Sequence, residues 1–167
     1  METLVVGNLC SLLAMVTDAR SASGKTSRDV LLMQSLSQLI YGIGALVLRG
    51  YSAVVQNVIS IVRNVAALCS GCPRAVEWLL IGLGVGLGLL VNNLGPVGWL
   101  PVLANLQYSW AVFQFRENQY ALKMAFLVNA VLYAVFNGAI CNVVGTCSNL
   151  VVAASTAGYL WQERAHR

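Results

Sequence analysis

Seven long apolar runs divide this chain, and they constrain its fold more than any other feature. A membrane-spanning helix needs about 17–25 mostly apolar residues, and the runs have close to that length. Barrel strands would be shorter and would alternate in polarity, so the runs predict helices. The predicted spans are 2–17, 28–48, 51–69, 76–94, 98–115, 120–137 and 139–160.

The composition agrees with a chain that lies mostly in lipid. Hydrophobic residues make up 58% of the 167 residues and charged residues only 10%, whereas an ordinary soluble domain has about 25% charged residues. The net charge is +4, but the basic residues form no cluster. These values exclude a soluble enzyme, a disordered tail and a coiled coil. They predict a lipid bilayer, and no nucleic acid, as partner.

The basic residues predict an orientation. If the N-terminus lies outside, eight of the ten Lys and Arg residues fall in inner loops or the tail, while Arg49 lies outside and Arg63 within a span. Lys and Arg accumulate on the cytoplasmic side of membrane proteins. We therefore predict seven spans, N-terminus outside and C-terminus inside. The eight inner residues are Arg20, Lys25, Arg28, Arg74, Arg116, Lys123, Arg164 and Arg167.

An internal repeat predicts the arrangement of the spans. A shift of 88 residues places Gly50 on Gly138, and a shift of 97 places Asn8 on Asn105. Each half then holds three spans, and two such units face the same way only if one span separates them. We predict an all-α 3+1+3 fold of parallel repeats. Its parts are a first three-helix unit (1–69), a linker helix (76–94), a second three-helix unit (98–160) and a cytoplasmic tail (161–167).

Four glycines alternate along the predicted linker helix. Gly82 and Gly86 form one GxxxG pair, and Gly84 and Gly88 form another. Small residues let helices approach closely where lipid offers no hydrophobic drive. We interpret the pairs as the surface on which the linker packs against the bundle. A homodimer contact is the alternative.

Short segments in both halves resemble a known family. They are Met33-Gln34-Ser35, Ile40-Tyr41-Gly42, Ser60-Ile61-Val62-Arg63-Asn64, Trp99-Leu100-Pro101, Phe113-Gln114-Phe115-Arg116 and Ala134-Val135-Phe136-Asn137. The chain thus resembles the YgjV-type family of bacterial inner-membrane proteins, which is grouped with the SWEET and PQ-loop transporters. The resemblance implies a multi-pass inner-membrane protein, and the wider group implies solute transport by alternating access. One departure is that Val102, and not glutamine, follows Pro101.

No catalytic, metal or cofactor site is predicted. The predicted spans contain no histidine, and the six carboxylates lie at span ends, in loops or near a terminus. The pair Cys69 and Cys72 has C-x-x-C spacing, but a zinc site needs two more ligands, and the one histidine, His166, lies in the tail. We therefore predict a protein that is not an enzyme.

Polar and aromatic residues recur at helical spacing near the middle of the predicted spans. Such spacing keeps them on one face, and an amide in hydrocarbon is costly, so these faces should point inward. Two interpretations stay open: hydrogen bonds between helices, or a wet cavity that suits a sugar or a nucleoside. The candidate cavity residues are Gln38, Tyr41, Asn57, Ser60, Arg63, Asn64, Gln107, Trp110, Asn129, Tyr133 and Asn149.

Arg63 is the most informative of these residues because it is a charge inside a predicted span. An unpaired charge at mid-membrane costs at least about 2.5–3.5 kcal/mol on insertion scales. The side chain either snorkels to the inner surface, acts as an inner gate, or anchors an anionic group of a solute.

The sequence thus predicts a small-solute transporter. Proton-driven carriers use buried Asp, Glu or His residues, and none is predicted at mid-membrane, so we predict a facilitative alternating-access uniporter for a small polar metabolite. A membrane receptor or assembly factor on the same fold is the alternative.

Overall fold

The computed structural model describes residues 2–21, 27–68, 73–115 and 118–165. These residues form seven α-helices and one short 3₁₀ helix, with no strand among them, so the all-helical prediction is confirmed. The 3₁₀ helix, Gly95–Gly98, leads directly into α5. The α-helices are α1 (Glu2–Ser21), α2 (Ser27–Val47), α3 (Tyr51–Leu68), α4 (Arg74–Leu90), α5 (Trp99–Gln114), α6 (Gln119–Ala139) and α7 (Val143–Ala165).

The break predicted at Asn137-Gly138 lies later in the structure. Helix α6 continues to Ala139, and the turn follows at 140–142. Asn142 explains the shift, because its side-chain oxygen accepts a 3.0 Å hydrogen bond from the Gly145 backbone N–H and caps the start of α7. Its amide nitrogen also donates to Asn137 Oδ1 at 3.0 Å, so Asn137 stays within the helix.

The predicted linker span 76–94 is also shorter in the structure, where α4 ends at Leu90. Asn92 stops it by a local turn: its Oδ1 accepts from the Leu94 backbone N–H at 3.0 Å, and its Nδ2 donates to the Gly95 carbonyl at 2.7 Å. Asparagine side chains often replace helical backbone bonds in this way. The pair Cys69 and Cys72, the Arg116-Glu117 break and His166 lie outside the described residues.

Helices α2 and α6 end in the same left-handed turn. Arg49 and Cys141 have φ angles of 59° and 58°. The backbone N–H of the following residue, Gly50 or Asn142, donates to the carbonyl oxygen five residues earlier, at 2.8 and 2.9 Å. The two turns are therefore 92 residues apart. The sequence repeat, which pairs glycines 50 and 138, predicts a spacing of 88 residues, about one helical turn less.

Six helices form a ring of contacts. Helices adjacent in the chain pack together within α1–α3 and within α5–α7, while α1 also packs on α7 and α3 on α5. Helix α4 packs on both α3 and α5. The division into two units and a linker, and the orientation in the membrane, stay predictions.

The glycines of α4 face in two directions. A Cβ atom added at Gly88 would lie 2.5 Å from Gln56 Nε2 and 2.8 Å from Val102 Cγ2. This glycine therefore permits α4 to pack closely against both α3 and α5. Gly82 and Gly86 have nothing within 4 Å of such a Cβ. The homodimer contact that we predict as the alternative for these glycines stays a prediction.

The side chains are distributed as in a protein that faces lipid. Large aliphatic residues point outward, with Val151 68% exposed and Leu13 60% exposed. Buried positions hold mostly small or polar residues, including Ala14, Ser37 and Gln56. A water-soluble protein buries its large aliphatic residues first, so this surface suits a bilayer.

Among the described residues, one helical segment, Val143–Gln162 within α7, is long and apolar enough to cross a membrane. Three shorter apolar segments accompany it: Glu2–Thr17, Leu32–Val47 and Lys123–Ala139.

Candidate functional site

Asn105 is the centre of a buried hydrogen-bond cluster between α3 and α5. Its Nδ2 donates to Gln56 Oε1 at 2.7 Å, and its Oδ1 accepts from Ser60 and Ser109 at 3.4 Å each. Gln56 in turn donates to the Gly84 carbonyl of α4 at 2.7 Å. We call Gln56, Ser60, Arg63, Asn105 and Ser109 the arginine cluster, which joins three helices.

Arg63 lies inside this cluster. Its Nη1 donates to Ser109 Oγ at 3.0 Å and to Asn105 Oδ1 at 3.3 Å. Its Cζ lies 5.5 Å from the centre of the Tyr108 ring, a distance at which a cation is attracted to an aromatic face. The guanidinium is thus held between α3 and α5 by neutral groups.

The Arg63 guanidinium retains unused donors. Both of its hydrogen bonds leave from Nη1, so Nε and Nη2 meet no acceptor among the residues that the structure describes. Five N–H donors in a planar fork match the geometry of a carboxylate. A gap of about 10 Å³ borders Arg63, Gly84 and Val102, enough for about one water molecule. The site is therefore nearly closed in this conformation.

A larger cavity lies between the start of α4 and the end of α5. Its volume is about 280 Å³, just below the range of about 300–1,000 Å³ for drug-sized ligands. It carries opposite charges and two indole rings. Ile81 borders both this cavity and the gap beside Arg63, so the two spaces are neighbours. The residues that line this α4–α5 cavity are Arg74, Glu77, Trp78, Ile81, Trp110 and Gln114.

The structure places the candidate cavity residues in several different environments. Ser60 and Arg63 belong to the arginine cluster, and Trp110 lines the α4–α5 cavity. Gln107 and Asn129 connect α5 to α6 by donating to the carbonyls of Ala125 and Ala104, each at 2.9 Å.

The other candidates have different neighbours. Asn149 donates to the Gly145 carbonyl of its own helix at 2.8 Å. Tyr133 packs on a small apolar cluster that includes Phe136. Asn57 is buried beside Gly42 of α2, because a Cβ atom added at Gly42 would lie 3.5 Å from the Asn57 Cβ. Asn64 is buried, and Gln38 and Tyr41 are half-buried.

Sequence reasoning missed three members of the arginine cluster, namely Gln56, Asn105 and Ser109. The missing signal is spacing: Gln56 precedes Ser60 by four residues and Arg63 by seven, and Asn105 precedes Ser109 by four. Such steps place residues on one helical face. Sequence reasoning selected Asn57 for that face, but the Asn57 side chain lies against α2.

Glu77 is a second omission. The sequence predicts it at the end of a span, and it does lie in the first turn of α4, but it is only 8% exposed. The other carboxylate whose side chain is described, Glu2, is exposed. The neighbourhood of Glu77, with Arg74 and two tryptophans on the same cavity, distinguishes it from a carboxylate in a loop.

A family model for Imp-YgjV, described as a bacterial inner membrane protein, matches residues 5–163. No curated protein and no solved structure matches the chain significantly. The match covers nearly the whole chain. The apolar surface of the chain fits the inner-membrane location that describes the family. The chain therefore belongs to the Imp-YgjV family of bacterial inner membrane proteins.

Proposed function

We propose that this protein carries a small polar solute across the inner membrane by alternating access. The observation that supports this function is the Arg63 guanidinium, which lies half-buried between α3 and α5 with donors that meet no acceptor among the described residues. A charge held in a membrane interior is expensive. A solute that accepts hydrogen bonds from the remaining Arg63 donors would offset this cost. The arginine cluster would then be the central binding site, closed in the conformation described.

The proposed architecture is the 3+1+3 arrangement with the N-terminus outside, like that of SWEET and PQ-loop transporters. Two observations support it. The matching turns at Arg49 and Cys141 are what a repeated unit would produce. The contact between α3 and α5 joins the end of one proposed unit to the start of the other. Arg63 lies in that contact, where a relative motion of the units would open the site.

The proposed solute is small and carries a charge. A sugar or a nucleoside as solute requires side-chain amides that face a water-filled cavity and are available to bind it. Three of those amides, on Gln107, Asn129 and Asn149, already donate to backbone carbonyls. Three charged groups, on Arg63, Arg74 and Glu77, border the open spaces beside the neutral polar residues Gln56, Asn105, Ser109 and Gln114. We therefore propose a solute with at least one acidic group.

A counterflow assay in proteoliposomes tests the proposal. Radiolabelled leucine, lactate, glucose and uridine represent zwitterionic, anionic, hydroxyl-rich and nucleoside solutes. We expect saturable exchange of leucine or lactate and little exchange of the two neutral solutes, because only the first two offer a carboxylate to Arg63. We also expect equilibration without accumulation when a pH gradient is imposed, since the proposed carrier is facilitative.

The contradicting outcomes are distinct. If none of the four solutes exchanges faster than in protein-free liposomes, the carrier proposal fails and the receptor or assembly-factor alternative gains. If a proton gradient drives accumulation, the facilitative mechanism fails, and Glu77 becomes the residue to examine because it is a buried carboxylate. The proposed role remains non-enzymatic in either case.

A further inference from the structure

We infer that the α4–α5 cavity holds the headgroup of a membrane phospholipid, with the lipid phosphate at Arg74 and one acyl chain along α4. The cavity has a volume of about 280 Å³ and is lined by residues near the start of α4 and the end of α5. Three observations carry the inference: the depth of the cavity in the membrane, the charge that it offers, and the apolar groove that begins beside it. None of them depends on the proposed function.

The tryptophans place the cavity at the level of the lipid headgroups. Each of the four lies within five residues of a helix end, and each has an exposed ring, from 46% for Trp110 to 76% for Trp161. Tryptophan is enriched at the two surfaces of a membrane, where its ring is partly apolar and its N–H remains wet. The cavity, which two of these rings border, therefore lies at a membrane surface. In the predicted orientation this surface is the inner one.

Arg74 offers this surface a positive charge. It is exposed on the first turn of α4 and precedes Trp78 by four residues, which places it farther towards the end of the helix. Among the residues that the structure describes, its guanidinium has no hydrogen-bond or ion-pair partner. The planar fork of an arginine matches a phosphate group, and basic pockets between membrane helices on the cytoplasmic side bind anionic headgroups.

The second charge on the cavity wall does not compete for the ligand. Glu77 is only 8% exposed and already interacts with another residue. A group that enters from the lipid thus meets the exposed Arg74 guanidinium, while the Glu77 carboxylate is largely covered. Gln114, which is also exposed, adds an amide that can donate to a headgroup oxygen.

A groove along α4 fits an acyl chain. Gly82 and Gly86 follow Trp78 at steps of four residues, so the three lie on one face of the helix. A Cβ atom added at either glycine would meet nothing within 4 Å, whereas Leu79 and Leu83 beside them are 59% and 41% exposed. We call this strip of Trp78, Gly82 and Gly86 the α4 groove. A free phosphate ester would use Arg74 alone, but a phospholipid uses both Arg74 and the groove.

Native mass spectrometry of the full-length protein in a neutral detergent tests the inference. The protein is titrated with dioleoyl phosphatidylglycerol, with dioleoylglycerol, which has the chains without the phosphate, and with glycerol phosphate, which has the phosphate without the chains. We expect saturable binding of phosphatidylglycerol. Both partial ligands should bind at least about tenfold more weakly, because each lacks one of the two contacts.

Two variants connect binding to the two contacts. Arg74→Gln should weaken phosphatidylglycerol binding at least about tenfold, while Arg49→Gln, an exposed arginine at the opposite end of the helices, should leave it unchanged. Gly86→Leu fills the groove and should weaken binding severalfold. Its matched control is Gly158→Leu on α7, which should have no effect. The space around both glycines is open, so both variants should fold.

Three results would overturn the inference: no saturable binding of phosphatidylglycerol, equal binding of dioleoylglycerol, or full binding by Arg74→Gln. If glycerol phosphate binds as tightly as phosphatidylglycerol and Gly86→Leu changes neither, the site belongs to a free phosphate ester and the lipid assignment is wrong. The carrier proposal is tested separately, since these titrations measure binding without transport.

Discussion

Replacing Arg63 with glutamine is expected to slow solute exchange at least tenfold while the protein remains folded. Glutamine still donates a hydrogen bond towards Asn105 or Ser109, so the contact between α3 and α5 persists. It has neither the positive charge nor the planar fork. A hydrogen bond to a charged group contributes about 1.5–3 kcal/mol, and 1.4 kcal/mol corresponds to a factor of ten. The measurement is leucine or lactate counterflow in proteoliposomes.

Two further variants complete the Arg63 experiment. Arg49→Gln makes the same exchange at an exposed turn and should leave counterflow at the wild-type rate. Arg63→Lys keeps the charge without the fork and should retain intermediate activity. If Arg63→Gln exchanges solute at the wild-type rate, Arg63 has a structural role, and the observation on which the proposed function depends is lost.

Replacing Asn105 with leucine is expected to lower the free energy of unfolding by about 3 kcal/mol. Leucine has a similar volume but leaves Gln56, Ser60, Arg63 and Ser109 without the partner that they share. A buried polar group left without a partner costs about 1–3 kcal/mol, and a charged one more. The measurement is thermal or chemical unfolding of the purified protein in one detergent.

Asn129→Leu is the matched control for Asn105→Leu. Among the described residues, the Asn129 side chain makes a single hydrogen bond, to the Ala104 carbonyl. Hydrogen bonds between membrane helices average about 0.6 kcal/mol, so this variant should lose about 1 kcal/mol or less. Equal losses for the two variants would contradict the central position of Asn105.

The seven helices could be predicted from the sequence because lipid restricts the choices, whereas their arrangement and orientation stay predictions. Backbone groups in a bilayer must bond within their own segment, so seven apolar runs indicate seven helices. The ends of these helices were less predictable. The Asn137-Gly138 pair looks like a turn signal, yet the capping bonds of Asn142 move the break beyond it. Such caps depend on side-chain geometry, which the order of residues does not specify.

The site was predictable only in part. Arg63 and Ser60 are visible as polar residues in an apolar span. Gln56 and Asn57 are adjacent polar residues on different faces of one helix, and only the packing of α4 and α5 decides that Gln56 joins the cluster. Glu77 resembles an ordinary span-end carboxylate until α4 and α5 enclose it. Burial by a neighbouring helix is a tertiary property, so a single span does not reveal it.

Cysteine labelling at Ser109 tests alternating access around Arg63 most directly. Cysteine is nearly isosteric with serine, and Ser109 contacts the Arg63 guanidinium at 3.0 Å. The variant lacks the native cysteines and is exposed to a membrane-impermeant maleimide from one side of sealed, oriented vesicles at a time. Val151→Cys, at an exposed position of α7 that we expect to face lipid, is the control and should stay unlabelled. We predict that the cysteine at position 109 is labelled from either side. Labelling from one side alone, with and without leucine or lactate, would contradict the account.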